Sequence, residues 1–297
     1  MQDWDDMRIF LATARGESLS AAGRALRLDP ATVGRRIQRL EHAVGAPLFA
    51  KSPQGYALTE AGARLLSHAE EAEQAMQAAT DAVAGVDEGL SGQIRIGAPD
   101  GCANFLLTQV CARIAAANPG LDIQILALPR VVNLSKREAD MAVAVSAPTA
   151  GRLTVQRLTD YKLHLAAHRT YLEAHPPIAT LADLSAHAIV GYIPDMIFDK
   201  ELDYLADLGL DRVRLASNSV SVQLQMLRAE AGVGIVHDFA LPAAPELVRI
   251  LPEALSLSRS FYLVRHADDR RLDRMNRFAA LLTEEIRREV ARLEGLT

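Results

Sequence analysis

Apolar residues along this chain recur at helical spacing, then at strand spacing, then at helical spacing again. Met7, Ile9, Phe10, Leu11 and Ala14 fall on one broad helical face of WDDMRIFLATAR. In SLSAAGRAL, Ser18 or Ser20 is placed as an N-cap, and Ala21, Ala22, Ala25 and Leu26 face inward. Asp29 and Pro30 supply the next N-cap and first helical residue. The helix they open buries Val33, Ile37 and Leu40 and stops near Gly45. On that spacing Thr32, Arg35, Arg36 and Arg39 lie off the buried stripe. Pro53 and Gly55 mark the tip of a hairpin between two short strands in LFAKSPQGYALT.

A long helix begins at Thr59. Leu65, Ala69, Ala72, Met76, Ala79, Val83, Val86 and Leu90 alternate by fours and threes, which predicts a coiled-coil seam and hence a dimer. GLSG at 89–92 then breaks the pattern. QIRIGA, DIQILAL, DMAVAV, KLHLAAH, AIVGY, IVHD and FYLVRH read as strands. Helices read in NFLLTQVCARIAAANPG and NSVSVQLQMLRAEAGVG lie among them, which predicts a mainly parallel sheet covered by helices. Apolar residues at 272, 275, 278, 282, 286 and 293 make the tail a closing amphipathic helix.

Charge changes this picture more than composition does. The 297 residues carry a net charge of −5. Yet Arg24, Arg27, Arg35, Arg36, Arg39 and Lys51 face only Asp29 and Glu41 between positions 24 and 51, a local +4. From 59 to 90, seven acids oppose Arg64 alone, a local −6. Such segregation suits a polyanion-binding head on an acidic stalk. No apolar run approaches the ~20 residues that span a bilayer. The start, MQDWDDMRIF, is acidic and lacks the basic-then-apolar pattern of an export signal, so a cytoplasmic location is expected. Cys102 and Cys111 fit a reducing compartment. On one helix they would stand ~13 Å apart, too far for a disulfide, which needs ~7 Å between Cα atoms.

Two helices joined by a short turn, the second arginine-rich and opened by Asp-Pro, suit a helix-turn-helix. Its second helix would present Thr32 and Arg35 to base edges in the major groove, with Arg36 and Arg39 nearer the phosphates. Gly34 would let that helix approach closely. Residues from FLATARGESLSAAGRALRLDPATVGRRIQRLEHAVGAPLFAKSPQGYALTEAG resemble the N-terminal winged helix-turn-helix of LysR-type transcriptional regulators. The Ser-Leu-Ser-Ala-Ala start, the Thr-Val-x-Arg-Arg core, the Gly-x-Pro-Leu-Phe approach to the wing and the Leu-Thr-Glu-Ala-Gly exit occur in order.

The resemblance implies an α/β protein with an all-α winged helix-turn-helix head over 1–58 and a linker and dimerisation helix over 59–90. An effector-binding domain would follow over 91–297. That domain would be two-lobed, like a periplasmic binding protein, with lobe I at 91–161 and 265–297 and lobe II at 162–264. The implied partners are double-stranded DNA, a small-molecule effector and further copies of the chain, as a dimer or tetramer. DNA contact falls to Ser18, Ser20, Ala31, Thr32, Arg35, Arg36, Arg39, Lys51 and Gln54. Members often carry an amide or serine before Pro30, a serine at the place of Gly34, and two wing cations where this chain has Lys51 alone. Base reading therefore shifts toward Thr32 and Arg35. Arg27 stands where the turn often has glycine, which predicts a left-handed backbone there.

Ligands of parallel α/β sheets bind beyond the carboxyl ends of the strands. The first such end carries Pro99, Asp100, Gly101 and Cys102; others carry Leu128, Ser146, Tyr192, Ser217, Ser219 and His237. Amides at the helix start after Pro99 suit an anion, which Asp100 would repel, so a neutral or amine-bearing effector is favoured unless Asp100 caps the helix. Asp140 reads as holding a strand start. HLAAH lacks the glutamate of a zinc-protease helix, and no nucleophile elbow, phosphate loop or dinucleotide fingerprint occurs. No metal, cofactor or catalytic residue is therefore assigned. An enzymatic or ligand-binding α/β domain fused to a basic head is the competing reading.

Overall fold

Local capping fixes the N-terminal helices in the computed structural model. It describes residues 3–296 apart from 53–54, 84–89, 128–133, 135–137, 149–150, 206–207, 209–211, 268 and 270–271. Asp3 caps α1 (Trp4–Gly16). Ser18 Oγ accepts from Ala21 N at 3.0 Å to open α2 (Leu19–Leu26), and Asp29 Oδ1 accepts from Ala31 N at 2.8 Å to open α3 (Pro30–Val44). Arg27 is left-handed at φ 55°, as a residue in the place of a turn glycine must be. Ala25, expected inward, is exposed, and Gly23 is buried instead. A Cβ on Gly23 would stand 2.6 Å from Leu28 O, so α2 turns its glycine toward the turn rather than its third alanine.

Val33, Ile37 and Leu40 pack with Ile9, Phe10, Leu11 and Ala22, as their spacing predicts. Strands β1 (Phe49–Ser52) and β2 (Gly55–Leu58) form the expected antiparallel hairpin, anchored by Phe49 between Phe10 and Tyr56. Glu41, counted as a stray acid of the basic stretch, accepts from the N–H groups of Leu48 and Phe49 at 2.7 and 3.2 Å. The Leu-Thr-Glu-Ala-Gly exit also has a physical basis. Thr59 Oγ1 donates to Pro47 O and accepts from Gly62 N, while a Cβ on Gly62 would lie 2.1 Å from Leu48 O. Only glycine fits against that carbonyl.

Helix α4 (Glu60–Val83) carries the predicted seam, but not over its full length. Ala69 is buried and Leu65 packs beside it in the head's own core. Farther along, Met76 is 49% exposed and Ala79 is exposed. Val86 lies outside the described residues. Leu90 is not helical; it is buried, and its N–H donates to Asn118 Oδ1 at 2.8 Å within the following α/β unit. Periodicity alone could not separate a seam residue from the first core residue of the next unit.

That unit opens with β3 (Gly92–Ala98). An unbroken helical run follows: α5 (Asp100–Cys102), a π turn (Ala103–Leu107) and α6 (Thr108–Ala117). Next come β4 (Leu121–Ala127), β5 (Met141–Ala144), the long β6 (Leu153–His168), α7 (Arg169–Ala174), β7 (Ile189–Gly191) and β8 (Leu215–Ala216). Then α8 (Val220–Arg228), β9 (Val233–His237), β10 (Leu247–Ile250), the long β11 (Ser256–His266) and α9 (Asp273–Glu294) complete it. The sheet runs β4-β3-β5-β11-β6-β9-β7-β8, with β10 beside β6.

The sheet is mixed, not mainly parallel. Pairs β3·β4, β3·β5, β7·β8 and β7·β9 are parallel, but β5·β11, β11·β6, β6·β9 and β10·β6 are antiparallel. The cause is β6 and β11, which cross from one half of the sheet to the other beside each other. Only their last residues, KLHLAAH and FYLVRH, are apolar enough to read as strand. Asp140 does hold a strand start: Arg95 N donates to its Oδ2 at 2.7 Å. On α9, Met275, Phe278, Leu282, Ile286 and Leu293 are buried, with Glu285 and Glu289 paired to Arg113 of α6.

Candidate functional site

Two places gather the predicted functional residues, one in each unit. In the head, Ala31 and Arg35 are exposed on the first turns of α3, and Thr32 is half-buried. Arg35 Nη2 donates to Thr32 Oγ1 at 3.1 Å, which binds the two candidate readers into one hydrogen-bonding element. A concavity of about 290 Å³ lies beside them, with Pro30, Ala31, Gly34, Arg35, Gln38 and Tyr56 among its walls. Gly34 also packs inward, since its Cβ would meet Leu19 Cδ1 at 3.3 Å. Ser18 is committed to capping α2, and Ser20 is exposed. Lys51 lies on β1 opposite Tyr56, while Gln54 falls outside the described residues.

Arg36 and Arg39 are engaged within the protein. Arg39 donates to Asp6 and to Asp3, and Arg36 Nη1 lies 2.9 Å from Asp6 Oδ1. Burial alone would raise the pKa of Asp6, but hydrogen bonds from Arg39 and Arg36 outweigh it and hold the carboxylate below its ordinary value. Arg36 and Arg39 therefore meet their counter-ions at the start of α1, outside the window in which their charge was counted.

In the α/β unit, Asp100 and Ser219 come together from opposite halves of the sheet. Ser219 Oγ donates to Asp100 Oδ2 at 2.6 Å; Val220 N donates to Oδ1 at 3.1 Å and Ser221 N to Oδ2 at 3.0 Å. Asp100 therefore does not cap its own helix, where Pro99 occupies the N-cap position without a side-chain bond. It sits on the start of α8.

Around this junction, Gly101 and Cys102 are buried, and Ser217 Oγ accepts from Ser219 N at 3.1 Å. His237 stacks on Tyr161 with ring centroids 5.3 Å apart and meets Tyr204 edge-on; Tyr192 lies 5.8 Å from Tyr204. Burial pushes the His237 imidazole down to about 4, with the charge of Asp100 opposing. Burial likewise pushes the phenols of Tyr161, Tyr192 and Tyr204 up, so these groups stay neutral. Ser146 Oγ donates to Asp199. Leu128 lies outside the described residues. The sequence reading missed Asn104, Asp199, Tyr204 and Ser221; the polar run Ser217-Asn218-Ser219 ahead of an amphipathic helix was the available signal for the α8 start.

Cys102 and Cys111 are free and buried. Among the described residues no group of three or more His, Cys, Asp or Glu side chains could hold a metal ion. No described helix is long and apolar enough to cross a membrane.

Residues 4–63 match the bacterial regulatory helix-turn-helix family of LysR type, and residues 87–287 match the LysR substrate-binding domain. The transcriptional activator TtdR of Escherichia coli K12 is 28% identical over 262 residues, covering 84% of this chain and 82% of TtdR. A cysteine-to-aspartate variant of full-length OxyR from Pseudomonas aeruginosa superposes with a TM-score of 0.70 at 15% identity, covering 97% of this chain and 98% of that one. Full-length LysG from Corynebacterium glutamicum, solved with bound arginine as effector, gives 0.60 at 21% identity, covering 98% and 99%. The chain belongs to the LysR family of transcriptional regulators, which bind DNA through the helix-turn-helix and small-molecule effectors through the substrate domain. It is a regulator and not an enzyme.

Proposed function

We propose that this regulator reads a two-fold symmetric site on double-stranded DNA with the first turns of α3. Thr32 and Arg35 face base edges, with Ser20, Ala31, Lys51 and Gln54 along the flanking backbone. The observation that carries this reading is the exposed Ala31–Arg35 edge of a helix fixed by Asp29 and Pro30. Arg36 and Arg39 join the phosphate contacts only by leaving the acids of α1. Two copies associate through the exposed part of α4, and two such dimers make a tetramer. The working compartment is the cytoplasm. The division into head 1–58, linker 59–90 and effector domain 91–297, with lobes I and II as assigned from the sequence, is part of this reading.

The effector binds between the lobes, near Asp100, Tyr192, Ser217, Ser219 and His237. Its binding alters the relative placement of the two heads, with a coupling of order 1–3 kcal/mol. The test is fluorescence anisotropy with DNA from upstream of the regulator's own gene and with random DNA. Arg35→Ala is expected to cost about 1–3 kcal/mol on the specific site and much less on random DNA. Equal losses on both would remove base reading from Arg35.

A further inference from the structure

We propose that Asp100 sets the ligand class of the interlobe site: its carboxylate fills the anion position offered by the start of α8, and so closes that position to carboxylate effectors. The proposal rests on the reading that the effector binds between the lobes. Three donors converge on one carboxylate, namely Ser219 Oγ and the N–H groups of Val220 and Ser221. The two amides belong to the first turn of a nine-residue helix, where N–H groups lack intrahelical partners and the dipole favours negative charge. An effector carboxylate would find this set of donors well suited to it. Here the chain supplies the anion itself, from 119 residues earlier and from the other half of the sheet.

The surrounding contacts make the junction a latch. Asn104 Nδ2, on the π turn, donates both to Asp100 O and to Ser221 Oγ at 2.8 Å. Gly101 packs on Val220, whose side chain an added Cβ would meet at 3.4 Å, an ordinary contact. The helical run after β3 and the start of α8 are therefore in direct contact. A free carboxylate must displace a tethered one, whose effective concentration is set by the fold rather than by solution. The two halves are drawn together without any anionic ligand.

The test uses the full-length protein, with thermal unfolding followed as sodium formate or sodium acetate is raised at constant ionic strength with chloride. Asp100→Ala is expected to unfold at a lower temperature than wild type. It should also gain a saturable, carboxylate-dependent rise, with an apparent affinity at least about tenfold tighter than wild type once the tethered competitor is gone. An Asp100→Ala protein that ignores both anions, or a wild type that binds them equally well, overturns the proposal. The second of these results would leave an interlobe effector site standing. Should Asp100→Ala fail to fold, the near-isosteric Asp100→Asn is read by hydrogen exchange at the Val220 and Ser221 amides. About tenfold faster exchange is expected from the loss of the charged acceptor; unchanged exchange overturns the latch. If small molecules of every class leave the wild type unaffected, the effector reading fails, and the exchange result still judges Asp100.

Discussion

Arg39 Nε lies 2.5 Å from Oδ2 of Asp6, a carboxylate whose residue is only 3% exposed. This pair ties the middle of α3 to the start of α1 and gives part of the basic stretch an internal counter-ion. Phosphate contact by Arg36 and Arg39 must compete with it. In Asp6→Asn both guanidiniums lose their strongest partner while the shape of the site is kept. The slope of log K against log salt for random DNA should then steepen by up to about 1.8, from two further phosphate contacts at ~0.9 each. An unchanged slope would show that the α1 acids do not limit these arginines. The same variant should lose only a little head stability, because Arg39 is exposed enough for solvent to screen the pair.

Among the described residues, Met76 is the large apolar residue that α4 leaves half exposed beyond the part of the seam absorbed by the head. If that stretch joins two copies, Met76→Glu places like charges opposite each other at the interface. Sedimentation velocity should show the dimer dissociation constant rising at least about tenfold, the equivalent of ~1.4 kcal/mol. Affinity for a two-fold symmetric DNA site should fall with it. A variant that keeps the wild-type mass at the same concentrations would move the dimer interface elsewhere.

The legible parts of this fold are those written in local chemistry. Ser18, Asp29 and Pro30 announce two helix starts, the Val33-Ile37-Leu40 stripe fixes one buried face, and Arg27 in a glycine's place announces its own left-handed backbone. What stayed hidden depends on partners distant in sequence. Asp6 is only one acid of an acidic start until α3 delivers two arginines to it. Leu90 keeps heptad spacing although Asn118 holds it in another unit. The outer halves of β6 and β11 alternate too little to announce strands, because each is stabilised by the other. In the α/β unit, strand ends nominated Asp100 and Ser219 separately; that one carboxylate receives the first turn of α8 is a tertiary fact.

Cys102 and Cys111 are placed for packing rather than reactivity. Burial pushes both thiols up, Cys111 to about 12, and the nucleophile toward oxidants and disulfides is the thiolate. Native protein is expected to leave an aromatic disulfide reagent unreacted, and both thiols should react once denaturant is added. Peroxide applied to the folded protein should leave specific DNA affinity unchanged. Rapid titration of either thiol in the native state would show that the helical run carrying them opens.

His237 gives the α/β unit an acid-sensitive core. It is 4% exposed, and its folded value of about 4 lies below its ordinary value of 6.5. The unfolded chain therefore binds the proton more readily between those values. The neutral ring's contribution is fully present above pH 6.5 and is lost as pH falls toward 4. The shift corresponds to about 3 kcal/mol. Tyr161, Tyr204 and Phe239 surround the ring and offer no charge to stabilise imidazolium, while Asp100 offsets only part of the burial cost. Denaturant midpoints measured across this range should fall steeply for wild type and much less for His237→Gln, whose side chain does not titrate. Parallel pH profiles for the two proteins would mean that the imidazole escapes to water before it is protonated.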